Sequence, residues 1–91
     1  MENKKGPEFR VGKDTDPKAL ATAIFSNLKN IDRLELKCIG VPAVNQAIKS
    51  VIIARGYSIP VGFDITVKPY FEMLNIQGEE KTSIGMILEK E

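Results

Sequence analysis

IGVPAVNQAIKSVIIARGYSIP, from Ile39 to Pro60, carries an unbroken helical period. Between Pro42 and Arg55 the apolar residues Val44, Ala47, Ile48, Val51 and Ile52 fall at i, i+3, i+4, i+7 and i+8, which is one face of an α-helix. Pro42 suits the first turn, where its missing N–H would have had no intrahelical partner. Gly56 suits the left-handed residue that closes a helix, and Ile59-Pro60 ends any continuation. The spacing predicts a central buried helix whose core face is Val44, Ala47, Ile48, Val51 and Ile52.

Upstream of this helix, Leu34, Leu36 and Cys38 alternate with Glu35 and Lys37, the period of a strand with one covered and one wet face. Before it, Asp16-Pro17 is a helix start: the carboxylate accepts from open N–H groups while the proline presets the backbone. Leu20, Ala23, Ile24 and Leu28 recur behind it, up to Asn30. Glu8 to Val11 alternates, with Phe9 and Val11 on one face, and Gly12-Lys13-Asp14-Thr15 is the turn that follows. Met1 to Pro7 is polar and without period, a mobile tail ahead of one domain over residues 8–91.

Downstream, Phe63, Ile65 and Val67 alternate up to Pro69, where the missing N–H implies a bulge or a sheet edge. Tyr70 to Ile76 continues in shifted phase. Gln77-Gly78-Glu79-Glu80 is a polar connection, and Ser83 to Glu89 alternates again through Ile84, Met86 and Leu88. The order is β-α-β-α-β-β. Right-handed crossovers place both helices on one face of a mixed sheet whose last strand returns antiparallel, an α/β two-layer (α+β) fold.

Composition sets limits on function. Ninety-one residues with one cysteine and no histidine provide one core, no intrachain disulfide and no metal-ligand spacing. No apolar run approaches the roughly 20 residues that cross a bilayer, and the N-terminus lacks a signal-peptide core, so the expected location is cytoplasmic. Net charge is +1, unevenly placed: Lys and Arg outnumber Asp and Glu 11 to 7 as far as Lys68, and the balance reverses, 2 to 5, from there on. An anionic partner is expected to meet the first three-quarters of the chain.

The run IGVPAVNQAIKSVIIARG, from Ile39 to Gly56, resembles the signature of the stage V sporulation protein S family. The likeness continues through Gly62-Phe63-Asp64 and GEEKTSI, from Gly78 to Ile84, and spans roughly Glu8 to Lys90. That family is similar to Alba, an archaeal chromatin protein of β-α-β-α-β-β fold that dimerises and binds DNA or RNA. The resemblance implies a small, dimeric, nucleic-acid-binding protein connected with sporulation control. Gly12-Lys13 matches Alba's glycine-lysine turn after the first strand. Val41-Pro42 carry no charge where Alba is basic, and the connection near Gly78 bears Glu79 and Glu80 where Alba has a basic hairpin.

Lys13, with Gly12 and Arg10 beside it, is the first candidate for phosphate contact; the alternative is a solvated loop lysine. The start of the central helix is the second. Neither Gly40 nor Val41 has a side-chain oxygen to cap it, so its first N–H groups are left to water, backbone or an anion, with Asn45 assisting. Asn45, Gln46 and Lys49 form the polar face. Asparagine is a poor helix-interior residue, so Asn45 and Gln46 are read as dimer contacts and Lys49 as a solvent or phosphate contact. Arg55 sits in the last turn, where the helix dipole favours it and where its planar fork fits phosphate. Tyr70 and Phe71 are expected in the core rather than as stacking surfaces. No catalytic residue, metal, cofactor or small-molecule substrate is expected. The second functional class is a protein-interaction module of the same fold without nucleic-acid binding.

Overall fold

The computed structural model describes residues 6–91. Strand β1 (Glu8–Val11), helix α1 (Pro17–Leu28), strand β2 (Arg33–Cys38), helix α2 (Val41–Ser58), a 3-10 turn (Ile59–Val61) and strands β3 (Ile65–Ile76) and β4 (Glu79–Lys90) follow in the anticipated order. The sheet runs β1-β2-β4-β3, with β1 parallel to β2 and β4 antiparallel to both its neighbours. One face is covered by both helices. Val11, Leu34, Leu36, Cys38, Ile65, Met86 and Leu88 from the strands meet Leu20, Ala21, Ile24, Leu28, Ala43, Ala47, Val51 and Ala54 from the helices. Among the described residues no helix is long and apolar enough to cross a membrane.

Helix α1 begins as its sequence dictates: Asp16 is the N-cap, and its Oδ1 accepts from the Lys18 backbone N–H at 3.1 Å. Helix α2 departs from expectation in two ways. Its buried face is Ala43, Ala47, Ser50, Val51, Ala54 and Ser58, while Ile48 and Ile52 stand 42% and 61% exposed. Small residues dominate that face, with Val51 the one larger side chain on it, because they let the helix lie close to the sheet and to α1. The helix also runs through Gly56 to Ser58. The left-handed glycine is Gly62, at φ 108°, after the 3-10 turn that accommodates Pro60. Tyr57 packs against Phe25 with ring centroids 5.8 Å apart, and Ser58 is buried, so tertiary contacts carry the helix past the expected stop.

The β3–β4 hairpin is longer and more regular than its sequence implied. The turn is only Gln77-Gly78, both with positive φ (53° and 83°), and pairing runs without slip from Ile76↔Glu79 to Ile65↔Lys90. That two-residue geometry matches the right-handed strand twist, which explains why both arms stay paired to the tip. Pro69 needs no bulge because β3 is an edge strand. Strand β2 reaches only Ile84 of β4. The pairs from Glu72↔Ser83 to Ile76↔Glu79 therefore form a two-stranded ribbon projecting about 17 Å past the body at about 3.4 Å per residue.

The tail expected over residues 1–7 lies, as far as residue 5, outside the described residues. Pro7 is held: its carbonyl accepts from the Glu35 N–H at 2.9 Å, extending the β1–β2 pairing.

Candidate nucleic-acid interface

The turn after β1 is closed locally. The Gly12 N–H donates to Thr15 Oγ1 at 2.8 Å, and the Thr15 N–H returns to the Gly12 carbonyl at 3.2 Å. A longer-range bond then fixes the turn on the helix: Gln46 Nε2 donates to the Thr15 carbonyl at 2.8 Å. Gln46, read from sequence as a dimer contact, is thus already engaged within its own chain. Lys49, one turn further along α2, lines a shallow groove with Asp16, Pro17, Lys18, Ile52 and Ile53. Gly12, Lys13, Gln46 and Lys49 consequently lie along one flank. Lys18 joins them there. No motif in the sequence marks Lys18; only the packing of α1 against α2 brings it beside Lys49.

The remaining candidates lie elsewhere. Val41 opens α2 at 83% exposure, with Gly40 as a cap lacking any side-chain bond and Pro42 removing one N–H from the first turn. Asn45 is exposed on the outer side of the same helix. Arg10 belongs to the sheet face away from the helices, where it borders a hollow with Glu8, Lys37, Ile39, Glu72 and Leu74. Arg55 is clamped to Asp64: its Nε donates to Oδ1 at 2.7 Å and its Nη2 to Oδ2 at 3.0 Å. This bidentate pair raises the guanidinium pKa and, with the Ile65 N–H also donating to Asp64, lowers that of the carboxylate. The planar fork that fits phosphate is occupied in joining the end of α2 to the start of β3.

The uncovered face of the sheet is not simply wet. Glu35, expected in solvent, is 3% exposed. The Tyr70 hydroxyl donates to Glu35 Oε1 at 2.6 Å and accepts from Lys37 Nζ at 2.8 Å, and Lys37 also donates to Glu72 Oε1 at 2.8 Å. Arg33 approaches Glu35 Oε2 at 3.4 Å. The Tyr70 bond, aided by the charges of Lys37 and Arg33, outweighs burial and holds the Glu35 carboxyl below its ordinary range. Burial pushes the Lys37 ammonium down, but its bonds to Glu72 and Tyr70 push it further up. Burial first, then the bond to Glu35, raises the Tyr70 phenol. Alternation revealed which residues share this face, but not that a tyrosine 35 residues away would roof it.

Phe71, expected in the core, is 81% exposed. It stands where the ribbon leaves the body and shares a hollow with Gly40, Val41, Val44 and Ile84. Met73, 62% exposed, is two residues further along the same side of β3. Cys38 is buried at the floor of this region, and burial pushes its thiol up to about 11. Among the described residues no three acidic, histidine or cysteine side chains are placed to hold a metal ion.

Residues 8–91 match the family described as Stage V sporulation protein S. Among solved structures, the chain is similar to Alba from Thermoplasma volcanium, at 19% identity and a TM-score of 0.64, over 90% of this chain and 98% of that one. At that identity the likeness is one of fold.

Proposed function

The chain belongs to the stage V sporulation protein S family, and from that premise we propose that it is a small, dimeric, cytoplasmic nucleic-acid-binding regulator that holds phosphates with little sequence readout. Its Alba-like fold is the scaffold. The observation that carries the reading is the Gln46–Thr15 bond, because it sets the Gly12-Lys13 turn against the flank of α2 that bears Lys49. Lys13 and Lys49 are the principal phosphate contacts, with Gly12 beside them, while Val41 and Asn45 lie apart from them, at the start and on the outer side of α2. Arg10, on the other sheet face, and Arg55, held by Asp64, are peripheral. No catalytic role is proposed.

The test is fluorescence anisotropy of labelled duplex DNA, single-stranded DNA and RNA at several salt concentrations. Binding falls as salt rises, with a slope of about −0.9 per phosphate neutralised on duplex DNA. Lys13→Glu weakens it and reduces that slope by about 0.9 or more per subunit, with fold and oligomeric state unchanged. Unaltered affinity removes Lys13 from the interface.

A second reading, a protein-interaction module of the same fold, is favoured by one observation: the ribbon tip carries Glu79 and Glu80 with Lys81 as the neighbouring cation. It predicts no salt-sensitive binding to any of the three nucleic acids.

A further inference from the structure

We propose that the groove between α1 and α2 receives the hairpin tip of a second copy of this chain. The groove is lined by Asp16, Pro17, Lys18, Lys49, Ile52 and Ile53, an aliphatic floor with charged groups at its rim. Asp16 is engaged in capping α1. Neither Lys18 nor Lys49 has an ion-pair partner among the described residues. Such a surface fits a segment that is aliphatic and acidic at once.

The ribbon tip is such a segment. Ile76 and Glu79 are directly paired across the turn and share one face of the ribbon, and Glu80 follows on the other. The tip projects beyond β2, and the Glu79 side chain is 75% exposed with Lys81 only 3.7 Å away as an opposing charge. In the docked arrangement Ile76 covers Ile52 and Ile53, Glu79 on the same face reaches the rim lysines Lys18 and Lys49, and Glu80 adds its charge from the other face of the tip. The excess of positive charge before Lys68 and of negative charge after it has the sign this contact requires.

Each copy offers one groove and one tip, so two copies that exchange both contacts close as a two-fold pair, whereas a one-way contact continues into a ring or an open chain. The contact does not depend on nucleic-acid binding and competes with it for Lys49.

The experiment is sedimentation velocity of the full chain over a wide concentration range, at low salt and at about 1 M salt, where the Debye length is about 3 Å. The wild type grows past its smallest species as concentration rises at low salt and returns to it at high salt. Glu79→Lys with Glu80→Lys, or Lys18→Glu with Lys49→Glu, leaves only the smallest species. An equimolar mixture of these two double variants, or a chain carrying all four changes, regains the growth, which also shows that the variants fold. A wild type of constant size at every concentration, growth indifferent to either charge reversal, or no recovery in the mixture overturns the contact. Anisotropy with Lys13→Glu, which leaves groove and tip intact, reports separately on nucleic-acid binding.

Discussion

The Tyr70 hydroxyl accepts from Lys37 and donates to Glu35, so one oxygen joins a buried carboxylate to an ammonium and, through it, to Glu72. Removing that oxygen leaves Glu35 without its shortest bond. Tyr70→Phe is expected to cost about 1–3 kcal/mol, the range for a buried group left short of a partner, measured by urea denaturation. The sign of the pH dependence follows from the lowered folded-state pKa of Glu35. Its contribution is complete above the ordinary glutamate value of 4.5 and is lost as pH falls through the lower folded value. The Tm of the wild type should fall on acidification through that window, and Glu35→Gln should flatten the fall. An equal acid-side decline in both proteins would place the titration elsewhere. The sequence placed Glu35 and Lys37 on one face correctly, because strand alternation is strict. It was silent on their burial, because Tyr70 reaches them only once β4 has brought β3 into register.

At the scale of the element, the hairpin and α1 illustrate two kinds of constraint. Gly85 sits between Lys37 and Tyr70 in the sheet, and a Cβ added there would run into the Tyr70 ring. Gly85→Ala must therefore displace the tyrosine ring. It is expected to cost about 1–3 kcal/mol and to lose the acid-side dependence ascribed to Glu35, both seen in the same Tm series. Helix α1 depends on a local contact instead. Asp16→Ala removes the acceptor for the Lys18 N–H and should cost about 0.5–2 kcal/mol; an unchanged Tm would contradict the cap. That cap was legible in the Asp16-Pro17 pair because capping is decided within three residues. The end of α2 was not: Gly56 has the chemistry of a stop, yet Tyr57 and Ser58 find partners beyond it.

At the scale of the molecule, the described chain leaves a row of apolar side chains uncovered. Val41, Ile48, Phe71 and Met73 are exposed, with Val44 and Ile84 between helix and ribbon. A two-stranded ribbon is marginal in water unless something packs on it. We propose that a homodimer buries this surface, with Asn45 exposed between Val41 and Ile48 on the outer side of α2; Gln46 is held by Thr15 within its own chain. Phe71→Glu should convert the dimer to monomer by light scattering; a variant that stays dimeric would move the interface elsewhere. Dimerisation and the groove contact use different residues, so Phe71→Glu and the reversals at Glu79 and Glu80 separate them.

Element order, helix polarity, the covered face of the sheet and the Gly12-Lys13 turn are encoded in short-range pattern. Period, caps and turn chemistry act within a few residues, and they are readable from the chain alone. What distance in sequence conceals is decided by assembly. Close packing selects Ala43, Ala47, Ser50 and Ala54 over Ile48 and Ile52 for the buried side of α2. Strand register roofs Glu35 with Tyr70, and the reach of β2 leaves the ribbon, with Phe71, outside the core. Each of these depends on how closely two separately encoded surfaces approach, a quantity that no local period contains.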